Sequence, residues 1–262
     1  MIYNLHTHTT RCKHAQGEDR AYVENAVASG IAVLGFSDHT PRLGGVGPAF
    51  CDTVRMAAEE APGYVAAIRA LEKEYAGQIR LLVGFEAEYF HENMTVYFQK
   101  AEALGVDYLI LGQHLVWDGT AYVNVFAPPS DDPALHARYV DSVIEGMATG
   151  RYAYVAHPDV FRAAETPAAE REWRRLCRAA HSMDIPLEIN LLGVREGRHY
   201  PGAFFWRIAG EEGCTAVLGS DAHQPSVTGD VAPGSQSREK ALALAGACGV
   251  QVLEDLPRRV RQ

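Results

Sequence analysis

The stretch MIYNLHTHTTRCKH sets His6, His8 and His14 directly behind a short apolar run. In an extended chain residues i and i+2 share one face, so His6 and His8 can reach a single ion. Asp221 and His223, in GSDAH, have the same spacing. His39 in FSDH, Glu86 in GFEAEY, His114 in GQH and His157 in HPD also sit just behind apolar runs. Seven imidazoles and two carboxylates make nine donors, whereas one tetrahedral zinc site uses three or four. Nine donors suit two to three divalent ions, and imidazole mixed with carboxylate favours Zn, Mn or Fe over Mg or Ca. With 11 histidines in 262 residues, chance alone gives roughly 0.5 His-x-His pairs, so that motif by itself carries little. Recurrence at the end of nearly every run carries the argument.

Charge selects the guest. Three divalent ions and two carboxylates leave a pit of about +4 with neutral imidazoles. The chain as a whole has a formal charge of −9. That balance argues against general affinity for nucleic acid and for a small phosphorylated substrate at one local positive site. Neighbouring ions can clamp phosphate oxygens, and one of them can lower the pKa of bound water towards ~7.

The elements that must position these donors are legible as β-rich runs at Ile2–Leu5, Val33–Phe36, Ile79–Phe85, Tyr108–Leu111, Tyr152–Ala156, Leu187–Ile189 and Ala216–Leu218. Helical spacing fills the intervals: Tyr22, Val23, Ala26 and Val27 before Gly30, then Pro62 to a stop at Gly77. Further helices are expected near Val96–Leu104, Ala134–Met147, Ala168–Met183, Phe204–Glu212 and Arg238–Ala247. Seven strands alternating with helices imply an α/β fold with a parallel sheet. At this length a closed βα barrel is expected, with its chemistry at the C-terminal ends of the strands. Only the sixth run lacks a ligand there, offering Asn190 and then Arg195. His91, His136 and His181 fit no strand end and are expected on the surface.

Two connections, Thr40–Ala61 and Val116–Pro133, are too long for simple turns; the second holds Pro128 and Pro129. No repeat or composition break divides residues 1–262, so one domain is expected. Five scattered cysteines without a CxxC pair read as free thiols in a reducing cytoplasm. Neither a secretory signal nor a membrane span is expected. The oligomeric state is not legible.

In order, HTHT…H, FSDH, GFEAEY, GQH, HPD and GSDAH resemble the polymerase and histidinol phosphatase (PHP) family of metal-dependent phosphoesterases, over essentially the whole chain. The resemblance implies a distorted seven-stranded βα barrel with a trinuclear metal site. It implies that His6, His8, Glu86 and Asp221 hold one ion and that His14, His39 and His223 hold a second. His114 and His157 would hold a third, with Glu86 bridging to the first. HPDVFR with Arg162 and NLLGVREGRHYP with Arg195 resemble segments by which the histidinol-phosphatase branch contacts phosphate, and His199 is a weaker candidate in an outer shell. The segment QHLVWDGTAYVNVFAPPSDD departs from the expected pattern.

The expected reaction is hydrolysis of a small phosphate monoester, L-histidinol phosphate first among them, by attack of metal-bound hydroxide on phosphorus. A guanidinium fork can hold two phosphate oxygens in fixed orientation. Cys12 lies near the cluster, but no CxxxxxR loop surrounds it, so no thiol nucleophile is implied. Other phosphate esters, including phosphodiesters and nucleotides, an amidohydrolase reaction, and a non-enzymatic metal-binding module are the alternatives.

Overall fold

In the computed structural model, which describes residues 1–126 and 132–260, strands pair in parallel. β1 (Tyr3–Asn4), β2 (Val33–Phe36), β3 (Arg80–Ala87) and β4 (Tyr108–Leu111) lie side by side in that order. A short antiparallel hairpin, β5 (Leu115–Trp117) with β6 (Tyr122–Asn124), follows. The Tyr152–Ala156 run, expected as a full strand, contributes one bridging residue: Val155 pairs with Leu111 on one side and Leu187 on the other. The backbone turns away at His157, whose φ is 29°, and this cuts the ladder short. β7 (Leu187–Asn190), β8 (Thr215–Gly219) and β9 (Gln251–Val252) form a second parallel set. Beyond β1, Thr7 bridges Ala222 beyond β8, and the His8 N–H donates to the Ala222 carbonyl at 2.9 Å. The fold is α/β with parallel strands.

The helices are α1 (Asp19–Ala28), α2 (Ala61–Glu74), α3 (Met94–Ala103), α4 (Pro133–Ala148), α5 (Pro167–Ser182), α6 (Leu191–Glu196), α7 (Ala203–Glu211) and α8 (Gln236–Cys248). All but α6 fall where apolar spacing predicts them. Asp132 and Thr166 cap α4 and α5 by accepting from backbone N–H groups of the first turn, and a proline follows each cap. α5 then buries Trp173, Leu176, Cys177 and Ala180 on one stripe. Strand residues alternate as the pleat requires. Leu34, Phe36, Leu81 and Val83 pack in the larger core under the helices, while Val33, Leu82, Tyr108 and Ile110 form a separate inner cluster.

Thr40–Ala61 winds through three short 3₁₀ turns, and the Val116–Pro133 connection contains most of the β5–β6 hairpin; Pro128 and Pro129 lie outside the described residues. His136, expected on the surface, is buried on α4, stacked on Phe161 and edge-on to Trp173. Its face is shared with Tyr139, Val140, Val143 and Met147. Among the described residues no helix is long and apolar enough to cross a membrane.

Candidate metal centre

The residues just past the strand ends converge on Glu86, near the end of β3. Its Oε1 lies 2.8 Å from His157 Nε2 and 3.2 Å from His114 Nε2. Its Oε2 lies 2.9 Å from His39 Nδ1, 3.5 Å from His8 Nε2 and 3.6 Å from His6 Nε2. Asp221, one residue beyond Ser220, brings Oδ1 to 3.2 Å from His8 Nε2, 3.5 Å from His6 Nε2 and 3.4 Å from His223 Nδ1. His14 joins through its ring, 4.7 Å from that of His223 and 5.3 Å from that of His39. All nine donors expected from the sequence therefore share one neighbourhood.

Their local backbone is built for this. His157 and Asp221 both have positive φ, 29° and 47°, a conformation that costs a non-glycine residue about 1–3 kcal/mol and clusters at functional sites. Two glycines clear space for buried carboxylates. A Cβ at Gly112 would overlap Glu86 Oε1, and one at Gly219 would overlap Glu188 Oε1.

The second layer fixes which nitrogen each ring presents. His6 Nδ1–H donates to Glu188 at 2.8 Å, His114 Nδ1–H to Glu88 at 3.1 Å, and His14 Nδ1–H to the Cys12 carbonyl at 2.7 Å. Each bond spends Nδ1 outward and leaves Nε2 facing the cluster, the arrangement of metal-ligating histidines. Glu188 also accepts from the His157 backbone N–H at 3.0 Å, while Arg55 pairs with Glu88. These helpers were not singled out from the sequence. The available signal was a charge inside an apolar run, Glu188 in PLEIN, and a second acid two residues beyond Glu86.

Electrostatics follow from burial and mutual charge. Burial alone would raise the Glu86 carboxyl, but His114, His39 and His6 hold it well below the usual carboxylate range. Asp221 is likewise held low against burial, by His6, His8 and His223. Burial opposes charge on His114, yet Glu86 and Glu88 bring it up to about 9. Burial and the neighbouring His8 push His223 down to about 3. The acids can thus satisfy some imidazoles as cations while others stay neutral.

Several atoms remain unserved. His6 Nε2, both nitrogens of His8, Glu86 Oε2, His157 Nδ1 and His223 Nε2 are buried without a hydrogen-bond partner among the described residues. Unpaired buried polar atoms cost about 1–3 kcal/mol each, and three of these lie together, with His6 Nε2 and His8 Nε2 3.6 and 3.5 Å from Glu86 Oε2. Donors on one tetrahedral ion with bonds near 2.05 Å stand about 3.3 Å apart, within the spread of separations around Glu86 and Asp221. The donor set fits divalent ions.

The cluster borders a cavity of about 1160 Å³ that also reaches Arg162, Arg198 and His199. Arg162 has no ion-pair partner among the described residues. Arg198 is spent on Glu196 and the Tyr200 hydroxyl. Arg195 is placed elsewhere: its Nη1 bonds Asp230 at 2.6 Å, and it does not line the cavity. The reason is α6, which ends at Gly197 with φ 62°; the reversal brings Arg198, rather than Arg195, to the cavity wall. His199 reaches the Val160 carbonyl through Nε2 at 2.9 Å. On the outer rim stand Phe50, Val54 and Phe126, 51%, 44% and 48% exposed, three of the five large apolar side chains left exposed among the described residues.

A family model described as PHP domain matches residues 4–191. A protein described as "probable histidinol-phosphatase" from Deinococcus radiodurans is 32% identical over 247 residues, 87% of this chain and 88% of the relative. Histidinol-phosphatase of Bacillus subtilis is 25% identical over 261 residues, 86% of this chain and 94% of that protein. Among solved structures, histidinol phosphate phosphatase from Lactococcus lactis, complexed with zinc, L-histidinol and phosphate, superposes with a TM-score of 0.72 at 18% identity. The match spans 99% of this chain and 98% of that one.

Proposed function

The chain belongs to the PHP domain family, and from that premise we propose that it is a metal-dependent phosphomonoesterase converting L-histidinol phosphate to L-histidinol and phosphate. The observation that carries the reading is the cluster of buried imidazoles around Glu86 and Asp221, with atoms that have no hydrogen-bond partner among the described residues, bordering a cavity that Arg162 also lines. Relatives over nearly the full length carry the histidinol-phosphatase name, and the Lactococcus lactis protein of the same fold binds zinc, L-histidinol and phosphate.

In this reading the parallel pairings, with Val155 and the Thr7–Ala222 bridge included, are a distorted seven-stranded barrel with its metal site at the C-terminal strand ends. Two to three ions of Zn, Mn or Fe would be held as the family resemblance implies. His6, His8, Glu86 and Asp221 would serve one, His14, His39 and His223 a second, and His114 with His157, together with Glu86, a third. Bound divalent ions supply Lewis acidity towards phosphoryl oxygens and acidify water.

The protein's own groups do the rest. Arg162 orients the phosphate through its guanidinium fork. Glu188 and Glu88 hold the Nδ1 protons of His6 and His114 outward, so those rings keep one tautomer throughout turnover. Phe50, Val54 and Phe126 cover the organic half of the ester and exclude water at the mouth, with Phe126 stacked over His114 at 5.8 Å.

Steady-state turnover of histidinol phosphate, p-nitrophenyl phosphate, its bis-ester and a small amide by the manganese- or zinc-loaded protein tests this. Histidinol phosphate should lead in kcat/KM by about 10²-fold or more, a margin set by recognition of the leaving group. A faster bis-ester or amide would overturn the monoesterase reading.

A further inference from the structure

Cys12 is a residue that the proposed ligand scheme leaves unused, yet it lies fully buried inside the cluster. It ends the 3₁₀ turn Thr10–Cys12, between the strand that delivers His8 and the loop that delivers His14. Its sulfur, a ring nitrogen of His14 and a ring nitrogen of His223 all lie within 4.8 Å of one another. The same sulfur, with His8 and an oxygen of Asp38, makes a second such group. Independent of the cysteine, His8 is 0% exposed and neither of its nitrogens has a hydrogen-bond partner among the described residues. His8 Nδ1 stands 3.7 Å from Asp38 Oδ1, too far for a hydrogen bond. His223 Nε2 is buried and unpartnered as well. The corner thus sets histidines with unserved nitrogens beside a sulfur.

We propose that Cys12 is a sulfur donor to the ion held at the His14–His223 corner, which makes that position a mixed nitrogen–sulfur site.

The inference rests on the metal-centre reading above and extends it to a residue that the family resemblance did not include. Donors around a tetrahedral ion with one zinc–sulfur and otherwise zinc–nitrogen bonds stand about 3.3–3.6 Å apart, so a group within 4.8 Å closes with side-chain shifts of about 1 Å. On binding, the S–H bond breaks, an S–metal bond forms, and the proton passes to solvent. His14 Nδ1 is tied to the backbone carbonyl of Cys12 itself, so one short turn sets both donors. A thiolate at this corner selects zinc or iron over manganese, because soft sulfur discriminates against the harder ion. The corner would then differ from the Glu86 side, whose donors are nitrogen and oxygen only.

Absorption spectroscopy of the cobalt(II)-loaded protein decides it without reference to turnover. The wild type should show a thiolate-to-cobalt charge-transfer band in the near ultraviolet beside the weaker d–d bands. Cys12→Ser should lose that band and bind one ion about 10–100-fold more weakly, the loss typical of a weakened metal shell. Cys51→Ser is the control, since Cys51 also borders the cavity; it should keep the band. If Cys12→Ser does not fold, wild type and Cys51→Ser still decide, because Cys177, Cys214 and Cys248 do not line the cavity. Cobalt uptake with d–d bands alone, or a band that survives Cys12→Ser, overturns the sulfur assignment and leaves the nitrogen–oxygen centre standing. No cobalt uptake at all overturns the metal reading, and the sulfur donor with it.

Discussion

His6 and His136 are both buried, at 0% and 2% exposure, and each has an Nε2 without a hydrogen-bond partner. Their surroundings are opposite. His6 has Glu188 at 2.8 Å on one nitrogen and Glu86 and Asp221 within 3.6 Å on the other. His136 has Phe161 stacked 5.1 Å away and Trp173 edge-on at 4.2 Å, and among the described residues no acid pairs with it. Carboxylates lift the first imidazole well above its ordinary pKa although burial lowers it, while burial alone drives the second down to about 4. Burial therefore does not make a ligand. What separates the two is whether the backbone converges several donors, acids among them, on the same space.

The largest effect expected from that contrast lies at Glu86. Glu86→Gln keeps the shape but removes the charge between five imidazoles, so metal content should fall and kcat should drop by about 10³-fold, the scale of losing a main electrostatic stabiliser. His136→Phe should leave both within about twofold, because it acts through packing alone. Metal analysis and turnover of the two purified variants check the pair. Equal losses in both would erase the distinction between a ligand cluster and a packed histidine.

A smaller effect separates the arginines. Arg162, on the cavity and without an ion-pair partner among the described residues, should cost about 10–100-fold in kcat/KM as Arg162→Ala, the range for charged hydrogen bonds, with metal content unchanged. Arg195→Ala should stay within about twofold in kcat/KM and lose under about 1 kcal/mol of stability, since its partly exposed pair with Asp230 is a surface-type ion pair. The reverse order would return the phosphate contact to Arg195.

That reversal also shows where sequence reasoning ends. The cluster is legible because strand geometry fixes it: i and i+2 share a face, and strand ends gather where the strands do. The tilt of a short helix is not periodic in this sense. Whether Arg195 or Arg198 enters the cavity depends on α6 stopping at Gly197, and Asn190, read only as a strand-end residue, turns out to cap that helix by accepting from the Gly193 N–H. Glu188 and Glu88 escape for a different reason. Their partners, His6 and His114, are distant in sequence or on another strand, so nothing local marks them. The Tyr152–Ala156 run was legible as extended and apolar, but its length as a ladder is set by the turn at His157. His136 was within reach. It keeps helical step with Tyr139, Val140, Val143 and Met147, and the residue type obscured the face.

The subtlest consequence of the contrast is a pH dependence of stability carried by His136. Its folded-state pKa of about 4 lies below the ordinary value of 6.5. Below pH 6.5 the unfolded chain takes up a proton that the folded ring refuses until about pH 4, so stability falls as pH drops through that window and is unaffected above it. At pH 5.5 the linkage amounts to about 1.4 kcal/mol. His136→Phe removes the proton uptake while keeping a ring between Phe161 and Trp173. The urea midpoints of wild type and variant, converted with a common m-value, should therefore differ by about that much more in the variant's favour at pH 5.5 than at pH 8. The imidazole cluster around Glu86 is common to both proteins and cancels in the difference. A difference that does not change with pH would mean that the ring of His136 reaches a proton acceptor or water when folded, and the contrast with His6 would narrow to geometry alone.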